Sequence, residues 1–379
     1  MKIEIERQDL ISALTKCLEA TTKNTPHTSF KACRIETDGK EQVRMFTSTD
    51  MMLVDTVAPA IVQEAGGVVV SVHSLSEIIN AMPKGKIVLK SDETKTSKLS
   101  IKSKEHKRNY TLITLDCEIK RPADPANNSW DMSAETLLEA WSIVSASVPS
   151  DTVDHRIVPA AQLVVTKEGF SLGGANGRAL VKIEYPGKFK HTGTVIVPRK
   201  AFHALALLAA EDSKVRVSAD DHNVYWESSD TMVATRLVGE LSKDGVRAYP
   251  PVDPIIANIK QDTEGKPLLP ISAVTIVDAL AAVAPVLSEQ FSGVTLRAQP
   301  GVLFVEAESD TGSASEEIAV EFNGEFTVQL SAALAKEVLK PLKNRKVEVA
   351  LSAENNVLMF KGENFMSLVS IYGNKEQTK

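Results

Sequence analysis

The sequence predicts an α+β protein made of three repeats, each of antiparallel sheets covered on one side by two helices. Three observations carry that reading: strands that alternate at period two, helical stretches that are few and short, and one order of elements that recurs three times along 379 residues. A parallel sheet would need a helix between most of its strands, and the chain does not supply them.

Taken in order, the chain opens on Met1-Lys2-Ile3-Glu4-Ile5-Glu6, which alternates like a strand. An amphipathic stretch around Leu10 to Leu14 follows, then the strand Lys31 to Ile35. The second half of the repeat runs from the strand Val68 to Val72 through a helix from Leu75 to Met82 to the strand Lys86 to Leu89. The same order returns as a helix around Leu137 to Trp141, a strand Gln162 to Val165, a strand Thr194 to Pro198, a helix Phe202 to Ala210 and a strand Lys214 to Val217. It returns once more with Ile276 to Leu280, Gly293 to Leu296, Phe326 to Leu330, a helix Leu334 to Leu339, and Lys346 to Val349. Lys86, Lys214 and Lys346 are thus spaced 128 and 132 apart, close to a third of the chain. Each third should hold two short helices and about eight strands. Proline and polar residues mark linkers at Lys120 to Ala126 and from Tyr249 to Pro270, so the expected domains are 1–126, 127–258 and 259–379.

Composition sets limits on function. Hydrophobic residues make up 43% and charged residues 24%, the profile of a globular protein. No run approaches the ~20 apolar residues of a membrane helix, and the alternating N-terminus does not look like a signal peptide, so a cytoplasmic protein is expected. Cys17, Cys33 and Cys117 are odd in number and unpaired by spacing, which suggests neither a disulfide framework nor a zinc site. With 43 Lys+Arg against 49 Asp+Glu the formal net charge is −6. A protein that gripped nucleic acid by affinity alone would be basic, so any such role must account for an acidic chain.

Catalytic chemistry is hard to assemble from this sequence. Asp151-Thr152-Val153-Asp154-His155-Arg156 sets carboxylates beside a histidine, but without a nucleophile pattern it reads as a solvated loop. Gly173-Gly174-Ala175-Asn176-Gly177 lacks the spacing of a phosphate loop and reads as a turn. His203 reads as a packed or surface residue, so no catalytic residue, metal or cofactor is expected. Basic residues are more informative. Lys102, Lys104, Lys107 and Arg108 form a run in the first repeat, while Lys16, Lys23, Arg199, Lys200, Lys336, Lys340, Lys343 and Arg345 lie on or beside helices of all three.

The threefold repeat, Val195-Ile196-Val197-Pro198-Arg199-Lys200 at the second unit's helix, Thr47-Ser48-Thr49-Asp50, and Leu287-Ser288-Glu289-Gln290-Phe291-Ser292-Gly293-Val294 together resemble the bacterial sliding clamp family, the beta subunit of DNA polymerase III. The resemblance covers nearly the whole chain and fits a divergent bacterial or phage member. It implies the DNA clamp fold, with two chains head to tail in a homodimeric ring, helices lining the hole and sheets forming the outer wall. A closed ring needs only a weak, sequence-blind basic lining, which accommodates the acidic composition.

Residue by residue, the resemblance implies that Lys23, Arg156, Arg199, Lys200, Lys340 and Lys343 face double-stranded DNA without regard to its sequence. DNA polymerase and clamp loader would bind through short hydrophobic peptides in a pocket walled by Gly177, Arg178, Leu180, Pro250, Ile255, Val369, Ser370 and Ile371. Ring closure would set Tyr110 and Leu112 against Val286 and Leu287, with Lys104, Lys107 and Arg108 opposite Glu308, Asp310, Glu316 and Glu317. The chain departs from the family at Asn176-Gly177-Arg178-Ala179-Leu180, where Asp-Gly-His-Arg-Leu is usual, and at Val369 to Lys379, where a Met-Pro-Met-Arg-Leu-like end is usual. A reshaped pocket is therefore expected. The expected function is a non-enzymatic processivity factor associated with the nucleoid; the alternative is a repeat scaffold that binds proteins without encircling DNA.

Overall fold

Strand alternation and short apolar helices are realised in a computed structural model whose described residues are 1–91, 98–119, 129–150, 158–209, 213–237, 249–288, 293–352, 354 and 356–372. The first third runs β1 (Lys2–Glu6), α1 (Arg7–Glu19), β2 (Ala32–Asp38), β3 (Gln42–Ser48), β4 (Met52–Pro59), β5 (Ile61–Glu64), β6 (Gly67–Ser71), α2 (Val72–Ala81), β7 (Lys86–Ser91), β8 (Lys98–Ser103) and β9 (Asn109–Ile113). The second runs β10 (Ser129–Ser133), α3 (Ala134–Val144), β11 (Ala160–Val165), β12 (Gly169–Ala175), β13 (Ala179–Pro186), β14 (Gly193–Pro198), α4 (Arg199–Ala209), β15 (Lys214–Ala219), β16 (Asn223–Glu227) and β17 (Thr231–Arg236). After α5 (Val252–Thr263) the third runs β18 (Leu269–Ser272), α6 (Ala273–Val283), β19 (Gly293–Gln299), β20 (Val302–Ser309), β21 (Gly312–Ala319), β22 (Phe326–Ser331), α7 (Ala332–Leu339), β23 (Lys346–Ser352), β24 (Val357–Lys361) and β25 (Phe365–Tyr372).

Helices α2 and α7 begin before their first expected apolar residue because a serine caps each. Ser71 Oγ accepts from the Ser74 N–H and Ser331 Oγ from the Leu334 N–H, satisfying donors that the first turn leaves orphaned. Two expectations are corrected. The stretch read as a linker from Tyr249 to Pro270 contains helix α5, since Pro254 lies in its first turn, where a missing N–H costs nothing. Val252, Ile256 and Ile259 then fall on one buried face. Gly173 and Gly174 lie not in a turn but in the fully buried strand β12. A Cβ on Gly174 would come within 2.8 Å of Val144 and Val148, and one on Gly173 within 3.1 Å of Val252, so glycine here permits close packing. The turn itself is the Asn176 to Arg178 stretch, where Gly177 takes a φ of 81°.

Among the described residues every strand pairing is antiparallel, in sheets of five, eight and twelve strands. Contacts group the chain into two compact units, Met1–Leu138 with Lys200–Leu237, and Glu139–Arg199 with Val238–Lys379. In the first unit the eight-stranded sheet is continuous across β4 and β17, with Thr231 opposite Thr56 and Thr235 opposite Met52. In the second, β13 and β25 are joined with Phe365 opposite Ile183 and Val369 opposite Ala179. The five-stranded sheet ends at β9 and the twelve-stranded sheet at β21.

Candidate functional site

The candidate residues fall into three groups. The first lies in the second unit, where α5 packs Val252, Ile256 and Ile259 onto Ala175 and Leu180 of the β12–β13 hairpin and onto Met359, Met366 and Leu368 of the last hairpin. Tyr249 and Ile255 flank this cluster as half-buried residues. The Tyr249 hydroxyl donates to the Gly173 carbonyl at 2.8 Å, and burial raises its pKa well above the usual tyrosine value. The adjoining turn is fixed by Asn176, whose Oδ1 accepts from the Arg178 and Ala179 N–H groups at 2.9 and 2.8 Å. Ser370 N–H donates to the Arg178 carbonyl at 2.8 Å, which fastens β25 beside the turn.

The structure therefore brings the expected peptide-pocket residues together, but in two classes. Leu180, 5% exposed, and Val369 are core. Gly177 and Arg178 are exposed, while Pro250, Ile255, Ser370 and Ile371 are half-buried. Sequence reasoning missed α5 as the organising element, although Val252, Ile255, Ile256 and Ile259 carry a helical spacing. On the opposite flank of α5 a cleft of about 250 Å³ contains Lys182 between Glu184 at 2.6 Å and Asp253 at 2.8 Å. Burial lowers the Lys182 pKa, but hydrogen bonds to Asp253 and Glu184 outweigh it and hold the ammonium above the usual lysine range.

The second group, the candidate DNA contacts, is divided between the two units. Lys23 is exposed and pairs with Glu77 at 2.9 Å. Beside them the His73 ring lies 3.3 Å from the Thr21 hydroxyl, and burial, then the charge of Lys23, hold its pKa below the usual histidine value. Lys200 is exposed in the first turn of α4. Arg199 is half-buried: it donates to the Val148 carbonyl at 3.0 Å and stacks 5.6 Å from the centre of the Trp141 ring, so its charge serves the end of a neighbouring segment. Lys340 and Lys343 are exposed after α7, and Arg156 lies outside the described residues, as does the Asp151 to Arg156 loop.

The expectation that helix faces carry the basic residues needs correction at Lys16. It is 4% exposed and pairs with Asp230 at 3.2 Å. The exposed positions of α1 are Gln8, Thr15 and Glu19, and those of α6 are Asp278, Ala281 and Ala282. Among the candidates, Lys200 opens α4 and Lys340 directly follows α7, at helix ends rather than on helix faces.

The third group lies on two sheet edges, β9 in the first unit and β21 in the second. On β9, Tyr110 and Leu112 are half-buried and Ile113 is 68% exposed. Lys107 and Arg108 are exposed in the preceding turn, whereas Lys104 is bound to Glu4 at 2.8 Å. On β21, Glu316 and Glu317 are exposed, as are Glu308 and Asp310 nearby. Val286 and Leu287 are half-buried at the end of α6, and the Val286 carbonyl accepts from the Ser309 and Thr311 hydroxyls. Among the described residues no group of three or more His, Cys, Asp or Glu is placed to hold a metal ion, and no helix is long and apolar enough to cross a membrane.

Three-fold repetition of antiparallel sheets and helix pairs, with sheets continuous from one third to the next, is the architecture of the DNA clamps. Residues 1–119 match the family described as DNA polymerase III beta subunit, N-terminal domain. The chain is 21% identical over 364 residues to the beta sliding clamp of Chlamydia muridarum, covering 94% of each chain. Among solved structures it is similar to the beta subunit of Streptococcus pyogenes DNA polymerase, with a TM-score of 0.86 at 16% identity, covering 99% of this chain and 100% of that one. It is also similar to the DNA polymerase III subunit beta of Pseudomonas aeruginosa, with a TM-score of 0.85 at 18% identity and the same coverage. Residues 1–119 thus resemble the N-terminal domain of the DNA polymerase III beta subunit, and over its whole length the chain has the fold of the beta-subunit structures.

Proposed function

We propose that this chain is a DNA sliding clamp, a non-enzymatic processivity factor of three domains, 1–126, 127–258 and 259–379, that works in the cytoplasm on the nucleoid. Two copies close head to tail into a ring around duplex DNA, and the ring tethers a DNA polymerase and accepts a clamp loader through short hydrophobic peptides. The observation that carries this reading is the fate of the sheet edges. One strand joint links the first third to the second and another links the second to the third, and the strands that would make a further joint, β21 and β9, are left at the sheet ends. An unlike pair of edges on one chain makes a heterologous contact, which closes a ring where the rotation suits.

The charge distribution supports the same reading. A chain of net charge −6 whose helices expose Glu19, Glu77 and Asp278 has little to grip phosphate with. Lys23, Lys200, Lys340 and Lys343 supply a sparse lining that leaves the DNA free to slide, so retention is topological. The half-buried Ile255 of α5 and Tyr249 just before the helix offer an apolar edge for peptide anchors.

The test is retention on DNA. With its cognate loader, the protein should stay on a nicked circular plasmid through gel filtration and be lost once the plasmid is cut, while light scattering gives twice the chain mass. Equal retention on circular and linear DNA, or a monomer at all concentrations, would overturn the proposal.

A further inference from the structure

The five-stranded sheet of the first unit has two faces of different character. Ile3, Ile5, Ile87, Leu89, Leu99 and Ile101 fill its buried face, so the alternate residues of β1, β7 and β8 turn to the other face. Register then fixes which of these meet. Lys2 of β1 stands opposite Lys90 of β7, Lys90 opposite Ser100 of β8, and Val88 opposite Lys102. Lys90 therefore has one lysine directly across from it and two more, Lys98 and Lys102, on the diagonals of β8, about 7–8 Å away.

Like charges directly opposite in a sheet destabilise it, and elsewhere on this same face the repulsion is relieved. Glu4 accepts from Lys104 at 2.8 Å and lies 3.4 Å from Lys86. Around Lys90 nothing equivalent occurs. Among the described residues Lys2, Lys90, Lys98 and Lys102 form no ion pair, and Glu64, opposite Lys2 on β5, is the one carboxylate in register with any of them. A chain of net charge −6 thus carries a bare cluster of lysines at a cost in stability.

We propose that this face is a docking surface for an acidic peptide segment of a partner protein, bound in extended form with Lys90 at its centre. Alternate residues of an extended peptide recur every ~6.6–6.8 Å, which matches the diagonal spacing of Lys90 with Lys98 and Lys102. Apolar side chains between the acids would rest on half-buried Val88, opposite Lys102, and on Ile113, which is opposite Lys98 and 68% exposed. A nucleic acid fits less well. Among the described residues the face carries no aromatic side chain on which bases could stack, and four lysines fall short of the roughly 6–10 phosphate contacts of a tight DNA binder. The proposal does not depend on the clamp reading, because the register of β1, β7, β8 and β9 alone sets this face.

The test uses the full chain and a fluorescein-labelled decapeptide of eight glutamates around a central Ile-Leu pair. Anisotropy should show binding that weakens between about 50 and 200 mM salt. Lys90→Glu should weaken it about tenfold or more, whereas Lys346→Glu, the same change of charge at an exposed lysine of β23 in the second unit, should shift it less than about twofold. Lys90→Glu should also melt a few degrees above the parent, because it sets a carboxylate opposite Lys2. Equal losses in the two variants, or no binding by the parent, would overturn the proposal. A lower melting temperature in Lys90→Glu would overturn it too, by showing that the cluster holds no unrelieved repulsion. An oligothymidylate or a phosphatidylserine vesicle retained through Lys90 while the peptide is not would assign the face to phosphate ligands and overturn the peptide reading.

Discussion

Lys16 and Asp230 are 214 positions apart in the chain, yet the lysine Nζ lies 3.2 Å from the Asp230 carboxylate. The same ammonium donates to the Thr231 hydroxyl at 2.9 Å, and Thr231 shares a 2.8 Å hydrogen bond with Thr56. An almost fully buried cation from α1 thereby fixes the hairpin that opens β17 beside β4.

Removing either partner of this pair should have unequal effects. Asp230→Ala removes a carboxylate partner of a buried ammonium, and breaking a fully buried pair costs ~3–5 kcal/mol. Because the aspartate side chain is 39% exposed, a discounted loss of roughly 1–3 kcal/mol is expected. Lys16→Met replaces the charge by an apolar chain of similar length and should cost less than about 1 kcal/mol. Urea unfolding of both variants checks the order. Equal losses would show that the pair is not what holds the hairpin.

Leu180 and Ile255 should separate stability from partner binding. Leu180 lies inside the α5 cluster, so Leu180→Glu buries a carboxylate and should destabilise the second unit by several kcal/mol. Ile255 lies half-buried at the cluster's edge, so Ile255→Ala should leave the melting temperature within a few degrees and weaken a polymerase-derived peptide about tenfold. Thermal melting and peptide anisotropy give both readouts. Unchanged peptide affinity in Ile255→Ala would place the partner surface elsewhere.

Much of this fold was legible because its signals are local. Lys86, Lys214 and Lys346 each open a strand after a helix, as the repeat indicates, whereas the caps of Ser71 and Ser331 start their helices earlier than the apolar spacing alone suggests. The sites were less legible because they depend on contacts between distant segments. Proline and polar residues around Val252 hid a helix whose apolar face acquires meaning only against Leu180 and Met366. Gly173 and Gly174 look like a turn until the crowding from Val252 and Val144 is seen. The surface lysines divide in the same way. Lys23 and Lys200 are exposed as expected, while Lys16 is consumed by Asp230 and Lys104 by Glu4, pairings that no sequence spacing reports.

The Glu4 carboxylate gives the first sheet a pH dependence. It is 6% exposed on β1, and the hydrogen bond from Lys104, aided by Lys86, holds its pKa below the ordinary glutamate value of 4.5 against the opposing effect of burial. A carboxyl whose pKa is lower folded than unfolded adds stability that is fully present above about pH 4.5 and lost as pH falls through the folded value. Glu4→Gln should therefore be less stable than the parent at pH 7 and converge with it in acid. Parallel denaturation curves from pH 7 to pH 3 that keep a constant gap would refute this assignment.

In the proposed clamp, Lys23 and Glu77 would set how loosely the DNA is held. The two side chains are 66% and 69% exposed, and the hydrogen bond from Lys23 lowers the Glu77 pKa, so the pair is formed at neutral pH. An exposed pair of this kind contributes little to stability, so a DNA phosphate can replace the carboxylate on Lys23. In that reading Glu77 would act as a built-in competitor that keeps the lining weak. Lys23→Ala should lower the salt slope of duplex binding by roughly one, equally for all sequences, because a phosphate contact carries no base information. Glu77→Gln removes the competitor and should tighten binding roughly two- to fivefold at low salt without changing sequence preference. Anisotropy titrations on two unrelated duplexes across a salt series measure both effects. If Lys23→Ala flattens the slope while Glu77→Gln leaves affinity unchanged, the lysine contacts DNA but the competition does not occur; a preference for one duplex would show that bases are read at this surface.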